Sequence, residues 1–235
     1  MNSLYLLLLA LLVLFSWVGN IYALPLPDGS VCPNLLSEES VRWFVRHSID
    51  NVSEAPFVEA LLALIIIGSL RSSGLLAALI HRVPSDARRY RYALRTALAV
   101  LAIGVCIVLV GITPGGNLRS VTGHVAGGPF ASGWLFLLAQ VVGVPSIVYG
   151  YMSGHWRNGR EIFIGLSSEI ASCASYFVTL VIASQLVAAV QYIRLFELLA
   201  VSPIVQHVIV ALVYAIPLIV LLVINNFINE SSSTK

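Results

Sequence analysis

Charged residues are scarce in this sequence: only 10% of its 235 residues are Asp, Glu, Lys or Arg. Soluble domains average about 25% charged and about 45–50% apolar residues. Here the apolar share is 58% and the mean hydropathy is +0.92, more than a water-soluble fold could hide in a core. The shortage of charge therefore excludes a soluble protein and predicts an all-α integral membrane protein, with the lipid bilayer as its solvent.

Cysteine and histidine are also few, and neither forms a pattern that suits a reaction. Three scattered cysteines, Cys32, Cys106 and Cys173, indicate no disulfide framework and no metal-ligand spacing. The histidines include no i,i+4 pair, and the segment at Gly165 lacks the second glycine of a nucleophile elbow. We therefore expect no catalytic residue, no metal and no cofactor. The small net charge of +2 also speaks against a nucleic-acid partner.

Long apolar segments predict about six transmembrane helices in a single membrane domain, residues 1–235. We place the spans at residues 4–23, 57–80, 97–112, 133–151, 175–191 and 208–227. The first segment could also be a cleaved signal peptide. A retained span is favoured because no lysine or arginine precedes it and its apolar region is long.

An amphipathic helix is predicted inside the polar outer loop, residues 25–56. Ser37 followed by two glutamates is a typical helix start. The apolar positions that follow recur at helical spacing: Val41, Phe44, Val45 and Ile49. We expect this helix to lie along the outer membrane interface, with Trp43 and Phe44 at the level of the lipid headgroups.

A cluster of arginines lies between the second and third spans. Five of the thirteen Lys+Arg fall in residues 81–95: Arg82, Arg88, Arg89, Arg91 and Arg95. The positive-inside rule makes this segment a cytoplasmic loop and these arginines its topology-determining residues. With six spans, both termini are then cytoplasmic, and we assign the chain to the bacterial inner membrane.

Arg71 interrupts the second span, where Gly68 and Gly74, with the serines between them, predict a break in the helix. Glu59 is twelve residues away, about 18 Å along a helix, and is too distant to pair with Arg71. Two alternatives remain. Either Arg71 faces a polar interior, or the helix ends early and Arg71 reaches the cytoplasmic headgroups.

Five passages, in this order, resemble the p-aminobenzoyl-glutamate transporter (AbgT) family. They are residues 34–43 (NLLSEESVRW), 68–75 (GSLRSSGL), 120–130, 144–150 (VPSIVYG) and 176–185 (YFVTLVIASQ). The resemblance implies a secondary transporter of p-aminobenzoyl-glutamate-like or other small organic anions, coupled to Na⁺ or H⁺ and working as a homo-oligomer. It also implies candidate substrate-binding residues. A glutamate of the family falls at Arg71, an Asn-Trp pair falls at Gln191 and Tyr192, and Gln185 is unchanged.

By this resemblance the chain is a short and divergent member. A re-entrant hairpin region of the family would fall at the arginine loop, and its C-terminal part would follow Phe227. Those two pieces hold much of the polar core expected to bind the substrate. The alternative function is therefore a non-transporting membrane scaffold or assembly subunit that keeps the family framework.

Overall fold

The computed structural model describes residues 2–80, 88–120, 124–125 and 128–233. The regular secondary structure of these residues is entirely helical, apart from one isolated bridge between Pro25 and Val31. The helices are α1 (Asn2–Ile21), α2 (Glu38–Ser53), α3 (Phe57–Ser72), α4 (Leu75–Ile80), α5 (Arg88–Ile112), α6 (Pro129–Ser153), α7 (Gly159–Ser172), α8 (Ala174–Tyr192), α9 (Leu195–Leu198) and α10 (Pro203–Ser233). The all-α prediction is confirmed.

Six helical stretches in the described part of the chain are long and apolar enough to cross a bilayer. They are Asn2–Ile21, Glu38–Ser72, Arg88–Ile112, Pro129–Ser153, Ala174–Tyr192 and Pro203–Asn225. The second of these joins α2 to α3, and its apolar part is α3. The prediction of an integral membrane protein with about six transmembrane helices is confirmed.

The predicted arginine loop needs a correction. Arg82, with the rest of residues 81–87, lies outside the described residues. The other four arginines, Arg88, Arg89, Arg91 and Arg95, belong to the first two turns of α5. Hydropathy marks where the apolar segment begins, whereas the helix begins earlier, because arginine and tyrosine tolerate helical geometry well and the backbone hydrogen bonds continue beyond the apolar part.

The chain divides into two compact units, of which the first comprises Met1–Phe57 and Cys173–Lys235. This first unit is built around α8. Half of the apolar segment of α8 is buried, whereas only 6% of the apolar segment of α10 is buried. Its core consists of Tyr5, Leu12, Cys32, Ala183, Leu186, Ala189 and Ile193. The Tyr5 hydroxyl donates to the carbonyl of Val213 at 2.7 Å and so joins α1 to α10.

Polar side chains of α1 hold the loop that leads to α2. Ser16 Oγ donates to the carbonyl of Pro33 at 2.8 Å and accepts from the amide of Leu35 at 2.7 Å. Ser37 then caps α2, since its side chain accepts from the amide of Ser40. These contacts fix where the amphipathic helix starts.

The predicted amphipathic helix is confirmed as α2, and its two aromatic residues pack within the first unit. Val41, Val45 and Ile49 are exposed along one side of the helix. Phe44 instead packs against the core of the first unit, and Trp43 lies over Tyr192 with 4.4 Å between ring centroids. Burying these large rings releases more apolar surface from water than leaving them at the interface would.

The second unit, Val58–Ser172, holds α4 to α7 and all of α3 after its first residue. Helices α5 and α6 pack closely along their length. Near one end, a small buried cluster consists of Leu75, Ala93, Ala97 and Tyr149. Arg89 Nε donates to the carbonyl of Met152 at 2.8 Å, at the C-terminus of α6. A cation at this end of a helix satisfies a carbonyl that has no intrahelical partner.

Candidate functional site

A break separates α3 from α4 in the second unit, where the sequence predicted one. Gly74 adopts a left-handed φ of +78°, and a Cβ there would come within 2.9 Å of His155 Nε2. Only glycine accepts this conformation at low cost. Ser73 Oγ accepts from the amide of Leu75 at 3.2 Å and so caps the first turn of α4.

Serine hydroxyls on α3 compete with backbone amides for the carbonyl oxygens just before this break. Ser69 Oγ donates to the carbonyl of Ile66 at 2.8 Å, and Ser72 Oγ donates to that of Gly68 at 2.5 Å. Such back-bonding weakens and bends a helix. These bonds therefore favour the end of α3 at Ser72. The last turn of α3 carries Arg71.

Helices α3 and α7 cross in close contact beside Arg71. A Cβ at Gly68 would lie 2.9 Å from the carbonyl oxygen of Leu166. A Cβ at Gly165 would lie 2.8 Å from Ser72 Oγ and 2.7 Å from the ring of Trp156. Small residues of this kind let two helix backbones approach each other within a membrane.

The close crossing brings two opposite charges together. Arg71 Nη1 lies 2.9 Å from Glu169 Oε1, and the side chains are 27% and 10% exposed. In the described residues this is the one ion pair that joins two helices of the second unit. The contact with Glu169 matches the first sequence alternative, a polar interior, and the end of α3 at Ser72 matches the second, an early helix end.

Sequence reasoning missed Glu169 as the partner of Arg71, because it considered only carboxylates on the same helix. The two residues are 98 positions apart in the chain. The available signal was charge itself, since Glu169 is the only charged residue between Ile162 and Ser172, among serines and apolar residues. A charge in such a stretch needs a partner.

Gln185 lies in the first unit and makes two hydrogen bonds to α2. Its Nε2 donates to the carbonyl of Ser48 at 3.0 Å, and its Oε1 accepts from Asn51 Nδ2 at 3.2 Å. Gln191 is exposed near the end of α8. Beside it, Tyr192 Oη accepts from Ser40 Oγ at 3.0 Å. The three predicted substrate-binding residues are thus divided between the units, with Arg71 alone in the second.

Outside the spans, Arg194 joins a loop residue to the turn after α8. Its guanidinium pairs with both Asp28 and Glu197. Hydrogen bonds from Ser30, and then from Arg194, hold the pKa of the Asp28 carboxyl well below its usual range. The hydrogen bonds to Glu197 and Asp28 raise the pKa of Arg194. This cluster joins the loop between α1 and α2 to the end of α8.

The described part of the chain contains no group of three or more His, Cys, Asp or Glu that could hold a metal ion. The chemistry of the candidate site is therefore that of one guanidinium and one carboxylate. A guanidinium has five N–H donors in a planar fork that matches a carboxylate. The pair at the α3–α4 break is suited to recognising a second carboxylate.

Comparisons with known proteins find one matching family model and two solved structures with a similar fold. The model of the AbgT transporter family matches residues 84–235. The fold is similar to that of the Alcanivorax borkumensis YdaH transporter, with a TM-score of 0.71 and 17% identity over 85% of this chain and 72% of that one. No curated protein matches the sequence significantly.

A second solved structure has a similar fold. It is Neisseria gonorrhoeae MtrF, which represents a class of antimetabolite efflux pumps. Its TM-score is 0.71, with 15% identity over 83% of this chain and 69% of that one. At such identities these likenesses establish the fold, whereas the family model covers more than half of the sequence. The chain therefore belongs to the AbgT transporter family.

Proposed function

We propose that this chain is a secondary transporter that moves p-aminobenzoyl-glutamate-like or other small organic anions across the bacterial inner membrane, and that it is not an enzyme. Family membership supports transport as the activity. The observation that carries the proposal is the Arg71–Glu169 pair at the α3–α4 break. Transporters place substrate sites at interrupted helices, where polar groups are available inside the membrane.

The ion pair suggests how an anion is recognised. Arg71 presents further N–H donors after its bond to Glu169, so a substrate carboxylate can bind the same guanidinium. When the substrate takes the place of Glu169, that carboxylate loses its counter-charge in a poorly solvated position. A cation that enters the site with the substrate would restore the charge balance. Anion binding is in this way linked to uptake of H⁺ or Na⁺.

Gln185 and Gln191 are retained as separate candidates for substrate contact in the first unit. Gln191 has an exposed side chain near the end of α8 and is free to turn toward a ligand. Gln185 would first have to give up its bonds to Ser48 and Asn51. We rank Gln191 above Gln185 for this reason.

The arginines of α5 support an orientation with this end of the helix, and both termini, on the cytoplasmic side. Single cysteines at Asn158 and Thr113 test it, in a chain whose native cysteines are replaced. A membrane-impermeant thiol reagent should reach Asn158→Cys only from the inside and Thr113→Cys only from the outside. Labelling of both from one side would contradict the orientation.

Flux of labelled p-aminobenzoyl-glutamate into proteoliposomes tests the transport proposal. We expect Arg71→Leu to lower the flux by about tenfold or more, since loss of one member of a buried charge pair costs several kcal/mol. Arg42→Leu is the matched control, because Arg42 pairs only with Glu38 and both side chains are exposed. Equal flux in wild type and Arg71→Leu would exclude Arg71 as the site.

The same preparation separates transport from the scaffold alternative. If the wild-type protein is folded and inserted but carries no anion, with or without a Na⁺ or proton gradient, transport is contradicted. Stable co-purification with another membrane protein would then favour an assembly subunit. Gel filtration with light scattering of the detergent-solubilised particle tests the proposed homo-oligomer, for which a monomer is the contradicting result.

A further inference from the structure

The first two turns of α5 carry three arginines on one face of the helix. Arg88, Arg91 and Arg95 are spaced by three and four residues, so their side chains project from the same side. All three are exposed, and together with Tyr92 they line a polar cleft of about 200 Å³. The cleft lies within the second unit.

These three guanidiniums have no counter-charge among the described residues. No ion pair in that part of the chain includes them, and α5 contains no acidic residue. Like charges three and four positions apart repel one another on a helix. Arg89 is different, since its Nε donates to the carbonyl of Met152 at the end of α6. The other three concentrate positive charge on one face of the helix, and such a charge attracts anionic groups.

The same face of α5 becomes apolar immediately below the arginines. Continuing at the same spacing it presents Ala99, Ala102, Cys106 and Val110, all of them exposed. Arg95 and Val110 are fifteen residues apart, about 22 Å along the helix. One continuous face thus offers positive charge at its end and a lipid-exposed apolar surface along its length. Tyr92, at the boundary, is a residue type enriched at membrane interfaces.

We propose that Arg88, Arg91 and Arg95 bind the phosphate of an anionic phospholipid whose acyl chains lie along the apolar part of this face. Guanidinium forks bind phosphate oxygens in pairs of hydrogen bonds, and arginines at a membrane surface attract anionic headgroups. A free phosphate would share the charge chemistry but would make no use of the apolar face. The lipid uses both.

Native mass spectrometry of the full chain, released from detergent, tests the proposal by counting bound lipid. The probes are phosphatidylglycerol, phosphatidylcholine with the same acyl chains, and inorganic phosphate. We expect phosphatidylglycerol to bind at least about tenfold more tightly than phosphatidylcholine, and inorganic phosphate not to displace it at equal concentration. Binding of both lipids alike, or full displacement by inorganic phosphate, would overturn the lipid assignment.

A matched pair of double variants shows whether these arginines are responsible. R88Q/R91Q should weaken phosphatidylglycerol binding by about tenfold or more. R157Q/R160Q removes the same charge from two other exposed arginines of the second unit and should leave binding within about twofold of wild type. Equal losses in both variants would mean a non-specific charge effect and overturn the proposal.

A milder variant guards against misfolding. R91K keeps the positive charge but loses the planar fork, so we expect weaker phosphatidylglycerol binding together with an unchanged gel-filtration profile. If R91K and wild type bind equally and R88Q/R91Q also binds like wild type, the three guanidiniums are not the site. Transport activity is not needed for any of these readouts.

Discussion

The two units of this protein use their polar groups in different ways. In the first unit, neutral side chains along α8 are engaged with one another and with backbone carbonyls, as the bonds of Gln185 and Tyr176 illustrate. In the second unit, a charged pair lies beside an interrupted helix, and three arginines of α5 have no counter-charge among the described residues. The first unit therefore ties its buried polar groups to its own helices, whereas the second carries the charges of Arg71, Glu169 and the α5 arginines on which both proposals rest.

The largest expected effect comes from breaking the ion pair of the second unit. Glu169→Leu leaves the partly buried Arg71 charge without compensation, which we expect to lower the free energy of unfolding by about 3 kcal/mol, the low end of the range for buried pairs. The double variant Arg71→Leu/Glu169→Leu should recover most of that loss, since an apolar pair needs no compensation. Unfolding in mixed micelles measures both changes.

Transport distinguishes the function of this pair from its contribution to stability. The double variant should be stable and yet inactive, because it has no guanidinium to hold a substrate carboxylate. A double variant that transports normally would show that the pair serves packing alone. A double variant whose loss equals the sum of the two single losses would show that the two charges act independently.

The close crossing of α3 and α7 should be the next most sensitive feature. In Gly68→Val the new Cβ meets the backbone carbonyl of Leu166 at 2.9 Å, and a backbone atom cannot move aside cheaply. We expect a loss of about 2 kcal/mol, within the range typical of overpacking. Gly133→Ala is the control, since a Cβ there meets nothing within 4 Å. Equal losses in both would contradict a specific contact between the helices.

In the first unit, the effect of removing one polar side chain should be smaller. Gln185→Leu loses two hydrogen bonds between α8 and α2, and interhelical bonds in membranes average about 0.6 kcal/mol each. We expect a loss of about 1 kcal/mol in unfolding experiments. Gln140→Leu is the control, because Gln140 is exposed on α6. A stability loss in Gln185→Leu larger than that in Gly68→Val would contradict the expectation that the second unit is the more sensitive one.

The smallest effect should be the pH dependence of the Asp28 contact, in the loop between α1 and α2. The pKa of Asp28 is lower in the folded protein than its ordinary value of 3.8, so its contribution to stability is present above that value. It is lost as the pH falls through the lower, folded-state pKa. Asp28→Asn should remove this acid-sensitive part. Melting curves of both proteins between about pH 7 and pH 3 measure it, and parallel curves would contradict it.

Some features were predictable because they depend on neighbouring residues only. The break at Gly74, the cap at Ser37 and the amphipathic face of α2 follow from local backbone preferences and periodicity. Features that depend on distant segments were not predictable. The inward packing of Phe44 and the occupation of Gln185 arise only when α2 meets α8. The start of α5 at Arg88 also escaped prediction, because hydropathy reports the apolar segment and not the helix end.

The sequence by itself determined that this is an integral membrane protein made of helices. A chain with so little charge has no other stable solvent, and helices satisfy their own backbone hydrogen bonds in lipid. Only the tertiary structure decided that the charges of Arg71 and Glu169 pair with each other. Two residues 98 positions apart meet because Gly68 and Gly165 allow α3 and α7 to approach, and nothing local in either segment encodes that approach.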